Sequence, residues 1–411
     1  MMRNAPTHST MLLKSQKYLG TKGILSFISL MGMFIPLSID IYLPAMPSMA
    51  QYFDTTAAMI NLTLVAFFIF FAAGIIVFGP LSDKYGRKSI LVMGFLLYIA
   101  GSIACALASS IDQLILFRVI QGFGAGNITA IATALIKDCF SGRTKSKVLA
   151  AVQVMGVLAP MLAPLVGAAI LQIGNWRDTF WLLSFTGFIG LCIALLFQES
   201  LPLEERYQGN LAGSLSRLLV VGKNVGFSWF LLIVAILSAP YMAYIATSSY
   251  IYETFFALDE QSYSYFFAAN SAFAILGPLI YIRSIGHVTP RFFSWCCFGI
   301  AFVSGLSLFF LGSHSPWYFL ITFLPFTLIE GAIRPLSTDI LLDQQKEDIG
   351  SASSLINAVH TIFGSIGMVL GTLKWNNMID GLGIIILFST ALAAIMWTFL
   401  MRSKVKVIGL K

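Results

Sequence analysis

Long apolar stretches alternate with short polar connections along the whole chain, and the stretches are longer than the core helices of soluble domains. They fall at roughly 24–45, 58–80, 88–109, 112–136, 147–172, 178–198, 227–250, 262–282, 290–312, 316–342, 350–372 and 381–402. Each supplies about the ~20 residues that a helix needs to cross ~30 Å of hydrocarbon. The pattern predicts an all-α membrane protein with twelve transmembrane helices.

Charge then orients these spans. All but four of the 25 Lys and Arg residues stand before span 1, in every second connection, or beyond span 12. The exceptions are Arg177 and Lys374 in the opposite connections, and Arg118 and Arg334 inside spans. By the positive-inside rule both termini are expected in the cytoplasm. One span more or fewer would scramble the asymmetry, so the charges support the count of twelve.

Composition excludes several classes. A chain that is 58% hydrophobic and 10% charged is not a soluble globular domain. The net charge of +7 reads as basic loops facing anionic lipid, so no nucleic-acid partner is expected. The five cysteines lie in or beside spans without metal-ligand spacing, so no metal is expected. Nothing suggests an enzyme: there is no phosphate-cradling glycine loop, and His8, His287, His314 and His360 are scattered. His360, in span 11, reads as a packing histidine. A self-contained ATP-driven pump is excluded on the same ground, so no cofactor beyond a proton gradient is expected.

The longest polar interruption, 199–226, separates six spans from six. It divides the chain into an N-terminal bundle (1–198), a linker (199–226) and a C-terminal bundle (227–411). Gly79-Pro80-Leu81 at the end of span 2 recurs as Gly277-Pro278-Leu279 at the end of span 8, at an offset of 198 residues. Duplicated halves imply a site near the midplane that opens to one side at a time.

Charges inside a bilayer cost at least about 2.5–3.5 kcal/mol each and usually mark function. Four stand out: Asp40, Arg118, Glu330 and Arg334. Asp40 lies about 16 residues into an outward-running span, or ~24 Å, and Arg118 about six residues into an inward-running one, or ~9 Å. Both are therefore placed at a similar level in the outer half, either as a static ion pair or as a proton site whose affinity the arginine controls. Glu330 and Arg334 stand at i and i+4 in the favourable order for a pair on one helix face, either neutralising each other or taking part in proton coupling. Pro335 frees the carbonyl of Gly331, so a bent, moving or ligand-lining helix is expected there.

Gly79-Pro80-Leu81-Ser82-Asp83-Lys84-Tyr85-Gly86-Arg87-Lys88 forms a tight charged turn after span 2. It resembles the signature of the major facilitator superfamily, a glycine, an Asp four residues on, then Gly-Arg-Lys. The resemblance implies the two-bundle fold of that superfamily, with Asp83 bracing the halves against the start of span 11, near Gly350 and Ser351, when the cytoplasmic side is shut. Gly79, Gly86, Arg87 and Lys88 complete this gating turn. Arg118-Val119-Ile120-Gln121-Gly122-Phe123-Gly124 looks like the superfamily's span-4 motif, tied to proton coupling in drug exporters.

Gly156, Pro160, Pro164 and Gly167 place a seam of small residues and prolines along span 5 that permits bending. The seam resembles the antiporter motif of the superfamily, although Ala159 stands where its first glycine is expected. Ala-Pro-x-x-Ala-Pro-x-x-Gly looks like one branch in particular, the bicyclomycin and chloramphenicol resistance group of drug:proton antiporters. Ile39 to Pro47 in span 1, and Asn175-Trp176-Arg177 followed by Phe180, match the same branch. The second half diverges, with Tyr281 where the repeat would place an acidic residue.

The resemblance implies that spans 1, 4, 7 and 10 line a cavity. Tyr42, Gln121, Asn127, Tyr241, Tyr244 and Glu330 are the candidate substrate contacts, and an aromatic, sparsely charged pocket suits amphipathic molecules. The expected function is export of amphipathic small molecules or antibiotics in exchange for protons, by a monomer in the bacterial inner membrane. Its rivals are a dedicated exporter of an endogenous metabolite, such as a siderophore or amino acid derivative, and a non-transporting receptor.

Overall fold

The computed structural model describes residues 16–140, 142–208, 220–344 and 349–410. Side chains at 142, 143, 145–147, 149–151, 153, 157 and 349–351 are outside that description as well. Among the topology-setting residues, Arg3, Lys14, Arg143, Lys145, Lys147, Arg217, Lys346 and Lys411 therefore carry no structural account.

Among the described residues, twelve helices are long and apolar enough to cross a membrane. Spans 1 to 6 are Gly20–Tyr52, Ala57–Tyr85, Arg87–Leu107, Ile111–Cys139, Val154–Ile173 and Trp176–Leu196. Spans 7 to 12 are Val225–Phe255, Glu260–Ser284, Pro290–His314, Pro316–Asp343, Ala352–Gly371 and Met378–Arg402. Odd spans begin, and even spans end, at the end of the molecule that carries most of the basic connections, here called the basic face. The opposite end is the far face.

Local chemistry starts many of these helices. The side chains of Thr56, Ser110, Asp259, Thr289 and Ser315 each accept a hydrogen bond from the backbone N–H three residues on, satisfying a donor that would otherwise be left without a partner. Asn175 and Asp178 form a reciprocal capping box at the start of span 6. Spans 1 and 7 run beyond the sequence expectation, to Tyr52 and Phe255, because polar residues near their ends remain within helical turns.

Both of those spans are also broken. Span 1 is helical over Gly20–Asp40, tightens to a 3-10 turn at Leu43–Ala45 and resumes as Met46–Tyr52. Pro44 has no N–H to give the carbonyl of Asp40, and Pro47 none for Leu43, so the regular ladder stops there. Span 7 is interrupted between Val225–Ile236 and Ser238–Ser249, where Pro240 likewise cannot donate to Ile236. It then ends in a π-helical turn, Tyr250–Phe255.

The break is supported in the same way in each half. A methyl group on Gly167 of span 5 would stand 1.9 Å from the carbonyl oxygen of Ile41, and one on Gly367 of span 11 would stand 2.0 Å from that of Ala239. Only glycine lets a neighbouring helix come so near an interrupted one. Ile41 and Ala239 are separated by the 198 residues that separate the two Gly-Pro-Leu segments. Spans 2 and 4 also pack backbone to backbone, since a methyl on Gly126 would lie 2.2 Å from the carbonyl of Phe71.

The two ends of the molecule differ. Among the described residues, the hydrogen bonds joining the first six spans to the last six lie at the far face. Asn61 donates to the carbonyl of Met368 at 2.8 Å and to Thr372 at 3.2 Å, linking spans 2 and 11. Ser264 donates to the carbonyl of Pro164 at 2.8 Å, linking spans 8 and 5. Tyr250 donates to the carbonyl of Met46 at 3.3 Å, and Gln172 meets Gln261 at 3.3 Å. The described structure is thus latched at the far face.

Candidate functional site

Asp40 is the last residue of the first helical segment of span 1, so it sits at the break itself. It is 5% exposed. Among the described residues, no ion pair or side-chain hydrogen bond satisfies its carboxylate. A carboxylate so placed is expensive in a dry interior unless it holds a proton or meets a partner.

Arg118 lies beside that break. It is fully buried, and its Nη1 donates to the carbonyl of Ser38 at 3.0 Å and to Gln121 Oε1 at 2.7 Å. Gln121 in turn donates to Ser102 at 2.8 Å. The guanidinium carbon lies 4.5 Å from the ring centre of Phe67, 4.8 Å from Tyr42 and 5.7 Å from Phe180. Three aromatic rings thus replace an acidic partner, each offering a cation–π attraction strengthened by the absence of water. Nε and Nη2 are buried without partners. Depth placed Asp40 and Arg118 at one level, and Arg118 of span 4 does reach the span-1 carbonyl two residues before Asp40, yet the two side chains are not ion-paired.

Glu330 and Arg334 do pair, with Arg334 Nε 3.0 Å from Glu330 Oε1. The glutamate side chain is 12% exposed and the arginine 56%. Their helix runs unbroken through Pro325 and Pro335. Glu330 borders a hollow between spans 7, 10 and 11 that Ser238, Arg334, Ser337 and His360 also line. Tyr241 lies near enough to Glu330, Asp40 and Arg334 to interact electrostatically with all three. Asp40, Tyr241, Glu330 and Arg334 therefore converge from three spans.

The remaining candidate contacts do not join them on an open surface in this conformation. Tyr42 is fully buried and bonds to the hydroxyl of Thr63. Tyr244 is buried in a stack of rings, 4.3 Å from Phe323 and 5.9 Å from Phe267. Asn127 is wedged against Gly94, where a methyl would meet its side-chain oxygen at 2.4 Å. Gln121 serves Arg118. Each was expected at a substrate surface because it is polar and on a lining span, but helical position alone does not say which face of the span it occupies.

At the basic face Asp83 is 2.5 Å from Arg87, whose Nε reaches Asp138 at 2.9 Å. Gly86 turns the chain with φ +97, a conformation that side chains disfavour. Glu199 accepts from the backbone N–H groups of Arg87 at 2.9 Å and Lys88 at 3.1 Å, an acidic cap on the start of span 3. Arg206 reaches back to Glu199 at 3.7 Å, so the start of the long connection folds onto the turn. The start of span 11, where Asp83 was expected to brace, has no described side chains at Gly350 and Ser351. In span 5, Pro164 and Gly167 are engaged, whereas Gly156 has open space where a side chain would stand, as does Gly79 of span 2.

Sequence reasoning missed Asp138, Glu199, Asn61 and Glu253. Asp138 and Glu199 lie just beyond the expected ends of spans 4 and 6, where hydropathy assigns polar residues to loops, and Asn61 is an uncharged residue inside expected span 2 that hydropathy does not single out. Glu253 fell just beyond the expected end of span 7, although Ile251, Phe255 and Phe256 on both sides of it were a sign that the helix continues.

Among the described residues, twelve apolar spans, a broken helix bearing an unpaired acid, and hydrogen bonds between the halves at one end only define a multi-pass membrane transporter. The chain belongs to the Major Facilitator Superfamily, whose family model matches residues 25–368. An uncharacterised MFS-type transporter of Bacillus subtilis is 29% identical over 348 residues, 84% of this chain and 86% of that one. The bicyclomycin resistance protein homolog of Haemophilus influenzae is 23% identical over 351 residues, 84% of this chain and 88% of that one. The crystal structure of a D-xylose-proton symporter superposes with TM-score 0.72 at 14% identity, over 94% of this chain and 99% of the other, and so shares the fold. Family and fold are those of membrane transporters, not enzymes.

Proposed function

We propose that this transporter exports amphipathic small molecules, antibiotics among them, in exchange for protons. The observation that carries the reading is Asp40: a buried carboxylate with no partner, at a helix break, facing the region that Tyr241 and Glu330 share. Arg118, held by rings and a backbone carbonyl two residues before Asp40, is the cation that would meet the deprotonated acid once the halves move. Its two unpartnered nitrogens support that role. The resistance function in the name of the Haemophilus relative favours an antibiotic-like substrate.

In this reading residues 1–198 and 227–411 form two bundles that rock about the site, joined by 199–226. The basic face is the cytoplasmic one, in a bacterial inner membrane with both termini inside, and the monomer is the working unit. The far-face latches then describe a state open to the cytoplasm, in which Asp83 is engaged by Arg87. In the opposite state Asp83 turns to the start of span 11.

A susceptibility panel in an efflux-deficient host identifies a compound whose toxicity the protein relieves. Purified protein in liposomes should then move that compound when a pH gradient is imposed. Transport that ignores the gradient would refute proton coupling. Relief of no compound, with one metabolite accumulating on deletion, would replace the drug assignment by an endogenous substrate.

A further inference from the structure

The far-face latch contains a second buried acid. Glu253 lies in the π-helical turn Tyr250–Phe255, a geometry that is rare and often found at functional sites. One of its carboxylate oxygens is buried without a partner, while the residue as a whole is only part-buried, so it borders both the interior and the far face. The same turn supplies Tyr250, whose hydroxyl closes the latch onto Met46 of span 1.

The surroundings of Glu253 oppose a negative charge. Glu260 at the start of span 8 is its strongest charged neighbour and Asp259 the next, and both are acids. Tyr263 of span 8, fully buried with its hydroxyl 3.0 Å from Ser248, is the titratable group facing it from the interior, beside Tyr250 and Tyr252 of its own turn. Two further elements meet the turn: Met46–Tyr52, whose one titratable side chain is Tyr52, and the start of span 10, whose Phe319 packs on Tyr252 at 5.2 Å and is preceded by the titratable Tyr318. Among the described residues no cation pairs with Glu253.

We infer that Glu253 is a second proton-binding site, and that its protonation closes the far face. When the far side is open, water solvates the carboxylate and its acidic neighbours. Closing the latch strips that water from an oxygen that finds no replacement donor. The carboxylate therefore takes a proton from far-side water as the latch forms, and gives it back to that water when the latch opens. Closure linked to proton uptake from the far side is the step an exporter needs after releasing its substrate. The inference rests on the proton-coupled reading above, but gives the far gate its own proton site, apart from Asp40.

The gate measurement needs no substrate. With the five native cysteines replaced, spin labels at Ile173→Cys and Leu373→Cys report the separation of the two halves at the far face in lipid. In the wild type the far-open population should fall as pH is lowered, by up to about tenfold per pH unit for one linked proton. Glu253→Gln should hold the far face closed at every pH, and Glu253→Asp should keep a response. A Glu253→Gln protein with the wild-type pH response overturns the proposal, as does a wild type with no response. Asp40→Asn should keep the gate's response while losing gradient-driven export. Full export by that variant would undo the coupling assignment of Asp40 without touching the gate measurement.

Discussion

Asp40 and Glu330 are both acids inside apolar helices, and the structure treats them differently. Asp40 stands at a proline-made break, buried and without a partner. Glu330 stands on a continuous helix, and an arginine one turn away neutralises it at 3.0 Å. Arg118 could have neutralised Asp40 as Arg334 neutralises Glu330, but it is turned to Ser38, Gln121 and three rings instead. A satisfied pair has little reason to exchange a proton, whereas an acid without a partner can do so, and a cation held only by neutral groups can still be drawn to it. Environment rather than residue type assigns the role.

The strongest way to break this comparison is Asp40→Asn. The amide fits the same space but cannot exchange a proton. Gradient-driven export in liposomes should fall about 100-fold or more, the scale on which removal of an essential proton-transfer group acts. Monodisperse elution and unchanged substrate binding should show that the protein is intact. Retained export would make Asp40 no different in kind from Glu330.

Arg118→Lys comes next. It preserves the charge and removes the planar group that fits among Phe67, Tyr42 and Phe180 while bonding Ser38 and Gln121. Export should fall about tenfold or more, since losing one hydrogen bond to a charged group costs about 1.5–3 kcal/mol. The pH profile should shift as well, because the lysine would no longer be held away from Asp40. A drop in rate with an unchanged profile would make Arg118 a packing element.

Gly167→Ala tests whether the break itself is held in place. The added methyl must displace either Ile41 or span 5, at a cost of about 1–3 kcal/mol, seen as a lower unfolding temperature in detergent. Gly156→Ala on the same span, with open space around it, should leave stability unchanged. Equal effects at the two positions would mean that the contact with Ile41 does not support the break.

The contrast between the two acids was only partly legible in the chain. Span number, the charge asymmetry and the depth of Asp40 and Arg118 follow from hydropathy and helical rise, because lipid forces every backbone group into a helix. The pairing of Glu330 with Arg334 was legible too, since i and i+4 share a face wherever the helix lies. The orientation of Arg118 was not, because it depends on Phe67 and Phe180 from other spans. The support of Ile41 by Gly167 was hidden for the same reason: the span-5 seam read as a place to bend, and its partner lies 126 residues away in sequence. Glu253 escaped because a π turn at the end of span 7 carries helical structure past the last clean apolar residue.

Glu330 should tolerate neutralisation best of all. Glu330→Gln removes one member of an ion pair whose arginine is more than half exposed, and such pairs are worth about 0–1 kcal/mol. The unfolding temperature should barely move. If Glu330 serves only to hold Arg334, export should change by about twofold or less, and the double variant Glu330→Gln, Arg334→Gln should behave like the single one. If instead Glu330 receives the substrate or a second proton, the single variant should lose export for cationic compounds while sparing neutral ones, and the double variant should not restore it. The two outcomes separate an acid that is finished with its chemistry on folding from one that, like Asp40, does its chemistry afterwards.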